Sequence, residues 1–359
     1  MTDPENSPAD HLEGVELKSG WKVQKKVLKK LGATGSNFGT CYHATRGEEH
    51  AFVKAVDFRK ALSATDFLAA VSELAAHAIW EKEVMEFCDQ HGLSKIVRLH
   101  DHEYVLLESA NGDPTKRISC LVMEIGKGGD LRSHLDVKAN QTSSWKLHVI
   151  RDVALAIDQL HRKGIVHLDI KPSNVISMVD AEAKQASMKL GDMGRVVRKG
   201  IAGPFDNHPW PGDRNYQPPE KWYGFQSPQW NDERESADAF LLGSLLVFLF
   251  TGLPMTTLIY NQLPDPYKPG IYRGDFDQAL IAVHLRAQSQ VITTYLEPEL
   301  PKSCSAELGT MVAELTHPDP TKRGDRGARA QGIVGIDRYH QRLLRIAMRL
   351  EQTERIKSK

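Results

Sequence analysis

Cysteine is scarce in this chain. Four thiols (Cys41, Cys88, Cys120 and Cys304) are spread over 359 residues with no Cys-x-x-Cys pair. That argues against a disulfide scaffold or a thiolate zinc site, and a reducing, cytoplasmic setting is expected. Net charge is lacking too: Lys plus Arg and Asp plus Glu each number 46. No global field therefore points to nucleic acid or to an acidic membrane surface. The scattered histidines show no ligand spacing, and no internal repeat is visible. Nor is there a bilayer-length apolar run. The longest candidate, "AFLLGSLLVFLFTGL" (239–253), is interrupted by Gly243, Ser244 and Thr251 and falls short of the roughly 20 residues a membrane span needs. A helix apolar on every side suits the centre of a large lobe, so a buried core helix is expected there. The N-terminal "MTDPENSPADHLEG" is polar and acidic, unlike a secretory or transit signal.

What is present fits a folded chain long enough for two lobes, 26% charged and 41% hydrophobic. Residues 1–19 hold few apolar groups and are expected to form a disordered tail. From 20 to about 125 the pattern is strand-rich. In "AFVKAVD" (51–57), Ala51, Val53 and Ala55 fall on one face and Phe52, Lys54 and Val56 on the other. One helical stretch, rich in Ala, Leu and Glu, interrupts these strands and ends at Gly92. Beyond the glycine cluster 126–130 the periodicity is helical, giving a larger second lobe to about residue 335. A basic helix follows over 336–359, with Leu343, Ala347 and Leu350 on one side. The fold class expected is α+β and bilobal, joined near Glu124 to Gly126, and a cleft between the lobes is where a nucleotide is expected.

Four stretches carry the chemistry. Phosphoryl transfer needs backbone donors and a cation on the phosphates, hard oxygen ligands for magnesium, and a carboxylate to orient the attacking hydroxyl. "LGATGSNFGTCYHA" (31–44) is a glycine-rich turn between strand-like runs, which lets backbone N–H groups approach phosphate closely. Taken alone it reads equally well as a glycine hairpin. Lys54 lies mid-strand, where an inward lysine needs a carboxylate partner, and taken alone it reads equally well as a solvated lysine on an edge strand. Glu81, Glu83 and Glu86 are the candidates, with Glu83 preferred. In "HLDIKPSN" (167–174), Asp169 can steer or accept a hydroxyl proton, and Lys171 can neutralise the moving phosphoryl group. Asn174 offers an oxygen suited to a hard divalent ion. In "MKLGDMGRV" (188–196), Asp192 sits on a glycine-flanked turn, well placed to chelate magnesium.

Together these stretches resemble the protein kinase superfamily, of the kind that modifies serine and threonine, over residues 21–323. "LGATGSNFGTCYHA" resembles the glycine-rich loop, with Gly32, Gly35 and Gly39, and "AFVKAVD" the strand of the phosphate lysine. "LVMEIGKGGDL" resembles the hinge, with Met123 as gatekeeper. The likeness implies that Glu124 and Gly126 offer backbone to adenine and that Asp130 reaches the ribose. "HLDIKPSN" matches the catalytic loop, "GDMG" the magnesium turn and "GDRNYQPPE" the end of the activation segment. In "DAFLLGSLLVFLFTG", Asp238 would tether the catalytic loop, and in "HPDPTKR", Arg323 would pair with Glu220. The cofactors implied are ATP and Mg2+, with Asn174 and Asp192 as metal ligands. The partners implied are protein substrates, with no nucleic acid and no membrane span. The basic C-terminal helix is a candidate for docking on its own lobe, the commoner outcome, on a regulatory partner, or on a membrane surface.

Several positions depart from the family pattern. The three glycines are widely spaced, Phe52 replaces a small residue over adenine, and Met193 replaces a phenylalanine. Asp213 stands where a threonine is usual, able either to pair with Lys171 or to repel Asp169. Leu168 stands where an arginine usually receives a phosphate on the activation segment. No serine or threonine occurs from Asp192 to Glu220, so activity independent of phosphorylation there is expected. The compact chain and divergent motifs suggest a bacterial origin. Two other readings are a nucleotide-binding pseudokinase and a small-molecule kinase. Against the first stand Lys54, Asp169, Asn174 and Asp192, all present. Against the second stand Lys171 and the "PPE" ending.

Overall fold

Alternation of side chains along short β-prone runs produces a sheet, and the computed structural model shows which face each run buries. It describes residues 7–28, 39–58, 61, 64–107, 117–133, 141–179 and 186–357. The chain divides into two units, residues 1–126 with 192–194, and residues 127–191 with 195–359.

In the first unit, β1 (Lys22–Lys26), β2 (Thr40–Arg46), β3 (Glu49–Asp57), β4 (Leu99–Leu106) and β5 (Arg117–Glu124) form one antiparallel sheet of order β1-β2-β3-β5-β4. Its core face collects Tyr42, Ala44, Ala51, Val53, Ala55, Ile118, Cys120 and Val122. Lys54, between two of these residues, therefore points to the opposite face. Helix α1 (Phe67–Gln90) begins where the Asp66 carboxylate accepts from the Ala69 N–H, and buries Trp80, Glu81, Val84, Met85 and Cys88 along one stripe.

The expectation of a disordered tail over residues 1–19 is corrected for its described part. Ala9, Leu12 and Leu17 are buried in the same core as the sheet, and the Ala9 N–H donates to Asp57 at the end of β3. Composition misleads here because a ready-made sheet supplies most of the core. Three apolar anchors suffice, and the acidic residues between them find partners on the strands.

In the second unit, β6 (Gly129–Asp130), β8 (Val175–Ser177) and β9 (Met188–Leu190) make a small sheet, and β7 (Ile165–Val166) pairs with β10 (Val197–Arg198). Helix α2 (Ser143–His161), capped by Thr142, precedes β7. Then come α3 (Ser236–Thr251), α4 (Met255–Gln262), α5 (Gln278–Val291), α6 (Ser305–Leu315), α7 (Arg326–Arg329) and α8 (Ile336–Lys357). The apolar run expected to be a core helix is α3, which is buried on all sides. No single helix among the described residues is long and apolar enough to cross a membrane. Helix α8 lies along α2. It buries Ile336, Tyr339, Leu343, Ile346, Ala347 and Leu350, so its apolar stripe is already used within this unit.

Candidate active site

The first unit holds an ionic trio. The Lys54 ammonium donates to both oxygens of Glu81, at 2.7 and 2.8 Å, and to Asp192 at 3.2 Å. Lys54 and Glu81 are only 7% and 5% exposed, so each charge depends on the other to offset desolvation. Burial alone would lower the lysine's pKa, but the Asp192 and Glu81 carboxylates outweigh it and hold the ammonium well above the ordinary lysine value. For Glu81, burial pushes the carboxyl upward and the neighbouring Asp192 adds to that, while Lys54 holds it down. The partner of Lys54 is thus Glu81 and not Glu83, which is exposed on α1. The signal was available: Glu81 sits in the apolar stripe with Trp80, Val84, Met85 and Cys88, whereas Glu83 falls outside it.

The second unit holds the loop His167–Asn174. Asp238, fully buried at the start of α3, accepts from the His167 and Leu168 N–H groups at 2.8 Å each, as the family pattern implies. Asp169 is orientated from several sides. Its Oδ1 accepts from the Asp213 N–H at 2.8 Å, and its Oδ2 accepts from the Asn174 amide at 3.0 Å and lies 3.1 Å from the Lys171 ammonium. Its own N–H donates to His167 Nδ1, while His167 Nε2 faces the Gly191 carbonyl. That network assigns the ring proton to Nε2. Asn174 also donates to the Asp169 carbonyl at 2.8 Å. The ambiguity at Asp213 resolves as pairing, its Oδ2 lying 3.4 Å from the Lys171 ammonium.

Two residues of this machinery other than glycine adopt positive φ: Leu168 at 61° and Asp192 at 58°. Such backbone is rare and concentrates at functional sites. Leu168 is 1% exposed, and its carbonyl approaches Gly212 so closely that a Cβ there would lie 2.0 Å away. Gly212 is therefore required as glycine by contact with the loop His167–Asn174, a constraint that motif reading did not single out. The tip of the segment is held in turn by Trp210, whose Nε1 donates to the Asp213 carbonyl at 3.2 Å.

The remaining expected site residues are placed as follows. Gly32 and Gly35 lie outside the described residues. Gly39 sits at the entry to β2, where a Cβ would come within 2.7 Å of the Ala55 carbonyl. Glu124 ends β5, its N–H donating to the Arg98 carbonyl at 2.9 Å. Gly126 follows two residues later. The Asp130 Oδ1 accepts from the Ser133 N–H at 2.9 Å, so that oxygen is shared with a local turn. The Arg323–Glu220 pair is formed, with nitrogen–oxygen distances of 2.9 and 2.7 Å and almost no exposure of either side chain.

A family model described as the protein kinase domain matches residues 26–328. The chain is 29% identical over 220 residues to the serine/threonine-protein kinase ArnS of Sulfolobus acidocaldarius, covering 56% of this chain and 33% of that protein. It is 32% identical over 134 residues to an Aurora kinase of Debaryomyces hansenii, covering 37% and 30% respectively. It is 38% identical over 93 residues to the serine/threonine-protein kinase greatwall of Homo sapiens, covering 26% and 9%. The matched stretches span a third or less of those relatives' own lengths. With the family model matching most of its length, the chain belongs to the protein kinase domain family.

Proposed function

We propose that this chain transfers the γ-phosphoryl group of ATP to serine or threonine hydroxyls of protein substrates, with Mg2+, and that it does so without phosphate on its activation segment. The observation that carries the reading is the fixing of Asp169 by the Asp213 N–H, the Asn174 amide and the Lys171 ammonium. That leaves one carboxylate in a defined orientation to receive a hydroxyl proton. Lys171 supplies positive charge beside it for the phosphoryl group in flight. Lys54, held by Glu81, is the cation for the non-transferred phosphates. The donor set fits the cofactors. Asp192 and the Asn174 amide oxygen are hard oxygen ligands that would hold magnesium, which would neutralise charge on the phosphates.

Independence from activation-segment phosphate is supported by two further observations. The segment 192–220 offers no serine or threonine, and burial pushes its one phenol, Tyr216, up to about 12. The segment is also held by contacts within itself and from Arg234 beyond it. The Arg195 guanidinium lies 5.0 Å from the Phe205 ring centroid, and Arg234 donates to the Asp206 carbonyl at 2.6 Å. The test is transfer of radiolabelled phosphate to candidate proteins before and after phosphatase treatment, with Asp169→Asn as blank. Equal rates before and after, and none in the blank, support the reading. Signal persisting in Asp169→Asn removes the assigned role of that carboxylate. A large loss on phosphatase treatment that maps within 192–220 removes the independence.

A further inference from the structure

Residues 7–20 cross the core face of the first unit's sheet and are tied to it at both ends. At one end, Ser7 Oγ and the Ala9 N–H both engage the Asp57 carboxylate, the latter at 2.9 Å. Tyr42 of β2 donates its hydroxyl proton to the Ala9 carbonyl at 2.6 Å. At the other end, Glu103 of β4 accepts from the Lys18 N–H at 2.8 Å and from the Ser19 hydroxyl at 2.6 Å. Between these ties, Leu12 and Leu17 are buried at 0% and 3% exposure.

One side chain of this strap reaches two strands at once. A single Asp10 oxygen accepts from Lys26 Nζ at 2.7 Å and from Thr40 Oγ1 at 2.6 Å. Glu13 adds a second hold on β1, accepting from the Lys26 N–H at 2.8 Å. Lys26 is the last residue of β1 and Thr40 the first of β2, so the two bonds join the stems on either side of the stretch that carries Gly32 and Gly35. Only the described flanks enter this geometry.

We propose that Asp10 is a positioning residue for nucleotide binding, fixing through Lys26 and Thr40 the spacing at which the glycine-rich stretch leaves β1 and enters β2. This rests on the kinase reading given above. The last glycine of the stretch, Gly39, abuts the Ala55 carbonyl, next to Lys54 on β3, so the stem that Asp10 holds is in register with the strand of the phosphate lysine. Burial would raise the Asp10 carboxyl, but its hydrogen bonds from Lys26 and Thr40 prevail and hold it below the ordinary carboxylate value. The pair is partly open to solvent, at 36% and 28% side-chain exposure, and such pairs contribute little to stability. A role in orientation therefore predicts a change in nucleotide affinity without a matching loss of fold.

The experiment uses the full chain and reads three quantities: Kd for Mg·ATP by calorimetry, the KM and kcat of transfer, and Tm. For Asp10→Ala the expected result is a rise of about fivefold in Kd and KM, with kcat and Tm nearly unchanged, the size that two partly exposed charge-assisted contacts carry. Thr40→Val should give part of that rise and Thr40→Ser almost none. Should Asp10→Ala fail to fold, Lys26→Met and Thr40→Val each remove one bond and decide the matter by the same Kd shift. An unchanged Kd in folded variants overturns the proposal. So does a fall in Tm with kcat and KM moving together, which is the mark of a merely structural role. A wild-type chain that binds ATP but transfers nothing ends the kinase reading while the Kd ratio still decides the role of Asp10. A wild-type chain that does not bind ATP overturns both.

Discussion

The ionic trio of the first unit and the catalytic loop of the second solve the same problem, holding a buried charge ready, by different means. Lys54 is kept charged by two opposing carboxylates, and each hydrogen bond it makes to them is to a charged side chain. Asp169 is kept orientated by a backbone N–H, a side-chain amide and one ammonium. The first arrangement is strong but fails if a partner is lost, because an unpaired buried ion is left behind. The second spreads the load over three donors, one of which, the Asp213 backbone N–H, no side-chain substitution removes. Damage to the trio should therefore appear in stability as well as rate, and damage to the loop chiefly in rate.

The largest expected effect is at Asp169. Asp169→Asn removes the proposed proton acceptor and should cut phosphate transfer by roughly 10³-fold, with the Tm close to wild type by calorimetry. If Tm collapses as well, the contrast is broken. Next, Glu81→Ala should cost about 3 kcal/mol in denaturant unfolding and lower the rate too, while Glu83→Ala stays within about 0.5 kcal/mol. The double variant Lys54→Met/Glu81→Leu sharpens the point. It should recover most of that stability with no recovery of transfer, since a matched apolar pair replaces a buried ion pair at little cost.

A third test uses a buried base that has no opposing charge. His284 is wholly buried, shares a 3.0 Å hydrogen bond with the Tyr223 hydroxyl, and is held down to about 4 by burial. The unfolded chain takes up this proton near the ordinary value of 6.5 and the folded chain only near 4. Between these values the unfolded state binds more protons, so stability is complete above about pH 6.5 and falls as the pH drops toward 4. Roughly 3 kcal/mol is at stake, and His284→Leu should flatten that part of the stability profile. The smallest effect belongs to Asp213→Asn. It keeps the backbone N–H on Asp169 and loses only the charge facing Lys171, so kcat should fall by about two- to fivefold with stability unchanged.

Much of this arrangement was legible because certain backbone positions leave few choices. The alternation in 51–57 set Lys54 opposite the apolar face, and the spacing in 167–174 placed an acid, a lysine and an amide on one loop. The Asp238 tether and the Arg323–Glu220 pair followed from the resemblance and are present. Helix α1 shows where the reading stopped short. Glu81 and Glu83 differ by 200° around a helix of 3.6 residues per turn, and choosing between them required following the apolar stripe rather than distance along the sequence. The strap over residues 7–20 was missed for a different reason. Its stability lies in a surface made by strands far along the chain, and local composition carries no trace of that surface. Gly212 was missed similarly, since the Leu168 carbonyl it meets is distant in sequence.

The strap also bears on how the chain acquires its shape during synthesis. Leu12 and Leu17 leave the ribosome well before β5, yet their core includes Ile118, Cys120 and Val122 of that strand. Roughly a hundred residues must follow before their burial is complete, and contacts so far apart in sequence form slowly. A nascent chain halted before β5 would carry both leucines and the apolar face of β3 uncovered, the kind of exposed surface that invites aggregation.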